Sequence, residues 1–73
     1  MPALPVMSGA ECVSVLGRLG YRVVRQKGSH VRLACEGRPP VTVPLHDELD
    51  RGTLRAIIRA SELAVDELIA LLD

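Results

Sequence analysis

One stretch carries most of the reactive chemistry in this chain: Arg25-Gln26-Lys27-Gly28-Ser29-His30-Val31-Arg32-Leu33. A histidine follows a Gly-Ser pair, and cations stand on both sides of it. Imidazole has an unperturbed pKa of about 6.5, so it can take or give a proton near neutral pH. Arg25, Lys27 and Arg32 are suited to bind a phosphate and to stabilise charge that develops on it. Main-chain N–H groups at Gly28 and Ser29 add to this, because a glycine-containing turn lets a phosphate approach the backbone. The set points to phosphate chemistry. From position alone, the plainer reading of His30 is a surface residue flanking a turn.

The other reactive groups are sparse. Ser29 is most simply a turn former, and no acid–base triad accompanies it that would make it a nucleophile. His46 follows Pro44 and reads first as a loop residue; its sharper reading is a second proton carrier or phosphate ligand. Arg51, Arg55 and Arg59 recur every four residues, a stripe that is usually a solvated helix face and otherwise a surface for RNA or a protein partner. Two distant histidines and two cysteines at apolar positions have no recognisable ligand spacing, so neither a metal nor a small-molecule cofactor is expected.

The elements that must position these groups fit in 73 residues, a single domain over residues 1–73 that is too short for a large cleft. Hydrophobic residues make up 48% of the chain, enough for a core, and that core must be aliphatic because Tyr21 is the one aromatic residue. Cys12 and Cys35 read as reduced thiols packed in a cytoplasmic protein. No apolar run is long enough to span a membrane, no signal peptide is visible, and no membrane association is expected. The net charge is zero, but its distribution is uneven. Arg18, Arg22, Arg25, Lys27, Arg32 and Arg38 face only Glu36 over residues 18–38, whereas Glu62, Asp66, Glu67 and Asp73 close the chain without a cation. A basic surface beside an acidic end suits an anionic ligand on one face.

Residues 1–7 contain Pro2 and Pro5 and are expected to be irregular. Ser8 and Glu11 have capping-box spacing, and Cys12, Val15, Leu16 and Leu19 form an apolar helical stripe that Gly20 ends. Residues 21–27 lack a helical period and read as a strand. Gly28-Ser29 fits a two-residue turn, and residues 30–35 alternate as a second strand. Gly37 and Pro39-Pro40 mark a loop over residues 36–40, followed by a short strand at residues 41–43 limited by Pro44. Asp50 is a candidate N-cap for a helix that turns Leu54, Ile57 and Ile58 inward. Val65, Leu68, Ile69 and Leu72 make a last helix. The order α-β-β-β-α-α predicts an α+β domain: a three-stranded antiparallel sheet with helices on one face.

A two-residue turn puts Lys27 opposite His30 and Arg25 opposite Arg32 on the wet face, and pairs Val24 with Leu33 on the buried one. A three-residue turn brings Gln26 opposite His30 and adds Arg22 to the surface. The first register sends Tyr21 outward unless the strand bends near Gly20.

Four segments together carry a family resemblance: Gly20-Tyr21; Arg25-Gln26-Lys27-Gly28-Ser29-His30; Val43-Pro44-Leu45-His46; and Arg51-Gly52-Thr53-Leu54-Arg55-Ala56-Ile57-Ile58. In these the chain resembles the HicA-type toxins of bacterial toxin–antitoxin modules. The resemblance implies a small fold like that of double-stranded-RNA-binding domains. It implies the toxin of a type II system, ribosome-independent cleavage of messenger RNA without a metal, and restraint by a HicB-type antitoxin. It places the family's catalytic histidine on His30, which turns the balance there from surface residue to general acid or base. The chain departs from the family pattern in lacking an aromatic after His30 and another in the last helix, and in having Ser61-Glu62 where a glycine often ends the penultimate helix. The expected function is therefore an endoribonuclease, with Arg25, Lys27, Gly28, Ser29 and Arg32 contacting RNA. The alternative is a non-catalytic RNA-binding or antitoxin-binding module on the same fold.

Overall fold

The computed structural model describes residues 3–72. Its elements are α1 (Gly9–Leu19), β1 (Arg22–Lys27), β2 (His30–Cys35), β3 (Arg38–Pro44), α2 (Arg51–Ser61) and α3 (Val65–Leu71). This is the expected α+β order, with an antiparallel sheet arranged β1-β2-β3. Residues 3–7 form neither helix nor strand; residues 1 and 2, and Asp73 of the acidic end, lie outside the described residues.

Helix α1 begins as its sequence requires. The Ser8 hydroxyl accepts the Glu11 N–H at 3.0 Å, and the Glu11 carboxylate accepts the Ser8 N–H at 2.9 Å. Gly20 ends the helix with φ 119°, where its N–H reaches the carbonyls of Gly17 and Leu16. Cys12, Val15 and Leu16 fill the buried face. Burial pushes the Cys12 thiol up to about 11, so it stays protonated and acts as a small hydrophobe.

Helix α2 opens at Asp50, whose Oδ1 accepts the Thr53 N–H at 2.7 Å. It ends at Glu62, which takes the left-handed conformation (φ 61°) that a glycine would adopt without steric cost. The Leu63 N–H closes back on the Ile58 carbonyl at 3.1 Å, so the helix stops here despite the missing glycine. Helix α3 follows, with the Glu67 carboxylate accepting the Ala64 N–H at 2.9 Å.

Strand β2 is central. Val31 and Leu33 are buried opposite Val43 and Val41 of β3, and they join Leu16, Leu54, Ile57, Ile58 and Leu68 in one core. The helices therefore lie on the face opposite to that of His30 and Arg32. Strand β3 is longer than expected: the loop predicted through Pro40 shrinks to a turn at Glu36-Gly37, and the strand starts at Arg38. Its three prolines are tolerated because β3 is an edge strand, where a missing N–H need not break a ladder.

Strand β1 corrects the expected buried pair. Leu33 is opposite Val23, not Val24, because a bulge between Val23 and Arg25 leaves Val24 without a partner. One inserted residue reverses which side of the sheet each upstream side chain faces. Tyr21 thereby turns inward: it is 4% exposed, and its hydroxyl donates to the Pro39 carbonyl at 2.6 Å. The strand does bend, at the bulge rather than at Gly20.

Candidate nucleic-acid interface

The two-residue turn has positive φ at Gly28 (58°) and not at Ser29, the pattern of a type II′ turn that glycine adopts freely. The Gln26 amide donates to the Gly28 carbonyl at 3.1 Å. The Ser29 carbonyl accepts the Leu45 N–H at 2.7 Å, which ties the turn to the segment after β3. His30 therefore starts β2 from a base fastened on two sides.

The hairpin register is the one expected from a two-residue turn. Lys27 is opposite His30, and Arg25 is opposite Arg32. Beyond the bulge, Arg22 is opposite Ala34 and joins the same face. On the other flank, Pro44 is opposite His30 and Thr42 is opposite Arg32. The Arg32 Nη1 donates to the Thr42 hydroxyl at 3.1 Å, which holds the guanidinium on the outer surface. His30, Arg22, Arg25, Lys27 and Arg32 are all exposed. Paired residues on neighbouring strands have Cβ atoms about 4.5–5.5 Å apart, so these cations share one field. Arg25 directly across from Arg32 is a destabilising like-charge pair, and among the described residues no acid is paired on this face to relieve it. An anion seated there would remove the repulsion.

Two members reach this face by routes the sequence did not give. Arg22 was expected there only with a three-residue turn, yet the bulge brings it out while the two-residue turn holds. Thr42 gave no signal, since its role depends on lying beside Arg32.

The basic segment of the sequence divides in space. The Arg18 guanidinium donates to the Leu71 carbonyl at 2.8 Å, and Arg38 donates to the Ser61 carbonyl at 2.6 Å. Both sit at helix C-termini, where cations are favourable.

His46 has a main-chain role: its carbonyl accepts the Gly9 N–H at 2.9 Å. The Asp50 carboxyl is held below its ordinary range chiefly by the Thr53 main-chain N–H and then its hydroxyl, with only a minor electrostatic contribution from His46. Arg51, Arg55 and Arg59 are exposed on α2, beyond the core from the His30 face. Arg55 and Arg59 flank a small cavity with Leu4, Ile58 and Val65. The structure thus gathers Arg25, Lys27, Gly28, Ser29 and Arg32 around His30 and sets the α2 arginines apart.

Fold and face define a small α+β domain with one cationic sheet surface that presents a single exposed imidazole. Residues 9–63 match the family described as HicA toxin of bacterial toxin–antitoxin. The chain belongs to that family. Its structure is similar to a chain from a toxin–antitoxin complex from Streptococcus pneumoniae, with 36% sequence identity and a TM-score of 0.68 over 78% of this chain and 98% of that chain. No curated protein matches the sequence. Among the described residues, no helix is long and apolar enough to cross a membrane.

Proposed function

We propose that this protein is the toxin of a type II toxin–antitoxin pair, a metal-independent endoribonuclease that cuts messenger RNA. The observation that carries the reading is the exposed His30 imidazole opposite Lys27, beside the Arg25–Arg32 pair. The 2′-hydroxyl of the RNA attacks the adjacent phosphorus, and the bond from phosphorus to the 5′-oxygen breaks. A proton must leave the 2′-oxygen and another must reach the 5′-oxygen. His30 serves as general base or general acid for one of these transfers. The cations bind the phosphate and stabilise the additional charge at phosphorus in the transition state. Arg22 extends this track along β1.

A HicB-type antitoxin is the partner that family membership and the Streptococcus pneumoniae complex support. It inhibits by covering or neutralising the face that RNA needs. The test is incubation of the pure protein with RNA in chelator, beside His30→Ala. Wild-type cleavage and an inactive variant with unchanged far-UV circular dichroism are expected. A folded variant that cleaves at the wild-type rate removes His30 from the mechanism. RNA binding without cleavage by the wild type makes the protein a binding module instead.

A further inference from the structure

We propose that the outer edge of β1 is a docking edge, which takes an extended segment of alternating acidic and apolar residues from a protein partner as a fourth strand. It takes from the toxin reading only that a protein partner exists; the edge itself follows from the geometry.

The two edges of this sheet are unlike. Strand β3 carries Pro39, Pro40 and Pro44, and α2 packs against it. Prolines and covering elements are devices that blunt an edge. Strand β1 has no proline, and all six of its residues are exposed. Its bulge at Val24 and its cations guard it against a like-charged strand, while Arg25 to Lys27 keep a regular ladder. In an antiparallel pair, alternate residues direct their N–H and C=O groups away from the neighbour, so β1 offers unpaired groups along its outer side. Val23 and Val24 are each 52% exposed there, although β-branched side chains are the ones a further strand would pack against.

Charge selects the occupant. Arg22, Arg25 and Lys27 lie on the outer face of β1, and the strand contains no acid. A second copy of β1 would set cations beside cations, which disfavours self-pairing. A segment with carboxylates on the outer face and apolar residues on the inner face matches both sides. Strand addition of this kind draws affinity from main-chain hydrogen bonds and specificity from alternate side chains. With strands about 4.8 Å apart, the added strand lies next to the β1 cations and one strand further from His30. Its carboxylates would neutralise Arg25 and Lys27, the groups that frame the imidazole, without touching His30 itself.

The experiment is an NMR titration of the isotope-labelled full chain carrying His30→Ala with a synthetic peptide of roughly eight alternating Glu and Val residues, a typical strand length. Two controls are the same peptide with a central proline and an alternating Lys-Val peptide. The expected result is saturable shifts and slowed amide exchange centred on residues 22–27. Affinity should be about tenfold weaker or worse for the proline peptide, and absent for the Lys-Val peptide. Equal affinity for the two acidic peptides shows charge attraction alone and overturns the docking edge, as do shifts centred on β3 or α2, no binding at all, or self-association of the chain through β1. Because peptide binding is read without RNA, either outcome leaves the cleavage assay to decide the toxin reading separately.

Discussion

Two glycines in α1 should respond to alanine with opposite signs. Gly9 sits where the helix start meets the segment after β3. A Cβ added there would overlap the Pro44 carbonyl oxygen and lie 2.8 Å from the Leu45 Cα. The three nearest atoms it meets are all main chain, so no side-chain rotation can relieve the clash. Overpacking of this kind costs about 1–3 kcal/mol. The forced separation also endangers the 2.9 Å bond from the Gly9 N–H to the His46 carbonyl, and such a bond contributes a net of about 0.5–1.5 kcal/mol. Alanine returns at most about 1 kcal/mol in helix propensity. The net expectation for Gly9→Ala is a loss of about 0.5–3.5 kcal/mol, centred near 2, or a melting temperature roughly 8–16 °C lower at that centre in a domain of this size. Gly17, in the same helix, has no atom within 4 Å of an added Cβ and is not at positive φ. Gly17→Ala should raise stability by about 0.5–1 kcal/mol. Urea unfolding followed by circular dichroism measures both, and unchanged m-values would keep the comparison between like states. A Gly9→Ala protein that melts with the wild type, or a destabilised Gly17→Ala protein, would refute the steric account. Leu45 donates to the Ser29 carbonyl, so the Gly9 variant should also shift the amide resonances of the turn before His30.

Other residues give separable readouts. Arg22→Ala, like Lys27→Ala and Arg32→Ala, should lower the slope of log RNA affinity against log salt by about 0.7, the value for one lost phosphate contact on a single strand. Arg38→Ala should leave that slope unchanged while lowering the melting temperature, since its guanidinium is engaged at the end of α2. Tyr21→Phe removes the donor to the carbonyl of Pro39, an exposed residue whose acceptor water can reach, and should cost about 0.5–1.5 kcal/mol in urea unfolding. Asp50 has a folded pKa held below its unfolded value, chiefly by the Thr53 N–H. Its contribution is therefore complete above the unfolded pKa and is lost as pH falls through the lower folded value. Asp50→Asn should flatten the acid limb of the stability profile, and an unchanged limb would dismiss the cap as its source.

How much of this was legible depended on how local the deciding physics was. Ser8 with Glu11, Gly20 and Asp50 mark helix ends through contacts within four residues, and they stand where the sequence placed them. The same holds for Gly28, which fixes the turn and so the pairing of Lys27 with His30. The length of β3 was hidden because prolines read as breakers until the strand is known to be an edge. The roles of Arg18 and Arg38 were hidden because their acceptors lie 53 and 23 residues away. Proximity in sequence made them look like part of one basic cluster. Neither charge nor spacing separates a catalytic His30 from a turn-flanking one; the resemblance to the HicA family is what favours the catalytic reading, and the cleavage assay of His30→Ala decides it.

The bulge at Val24 links the core to the candidate site. In a regular strand, pairing Val24 with Leu33 would face Tyr21 outward and Arg22 inward. That arrangement wastes the one aromatic side chain and aims a guanidinium at the core side, where an unpaired charge is costly. Inserting one residue solves both problems together. Tyr21 enters the core and reaches the Pro39 carbonyl, while Arg22 emerges beside Arg25 and Lys27. Val23 and Val24 remain exposed because β1 is the edge of the sheet, where every residue of the strand is exposed. The turn at Gly28 sets Lys27 and Arg25 around His30, and the one extra residue in β1 places Tyr21 in the core while extending the cationic face to Arg22.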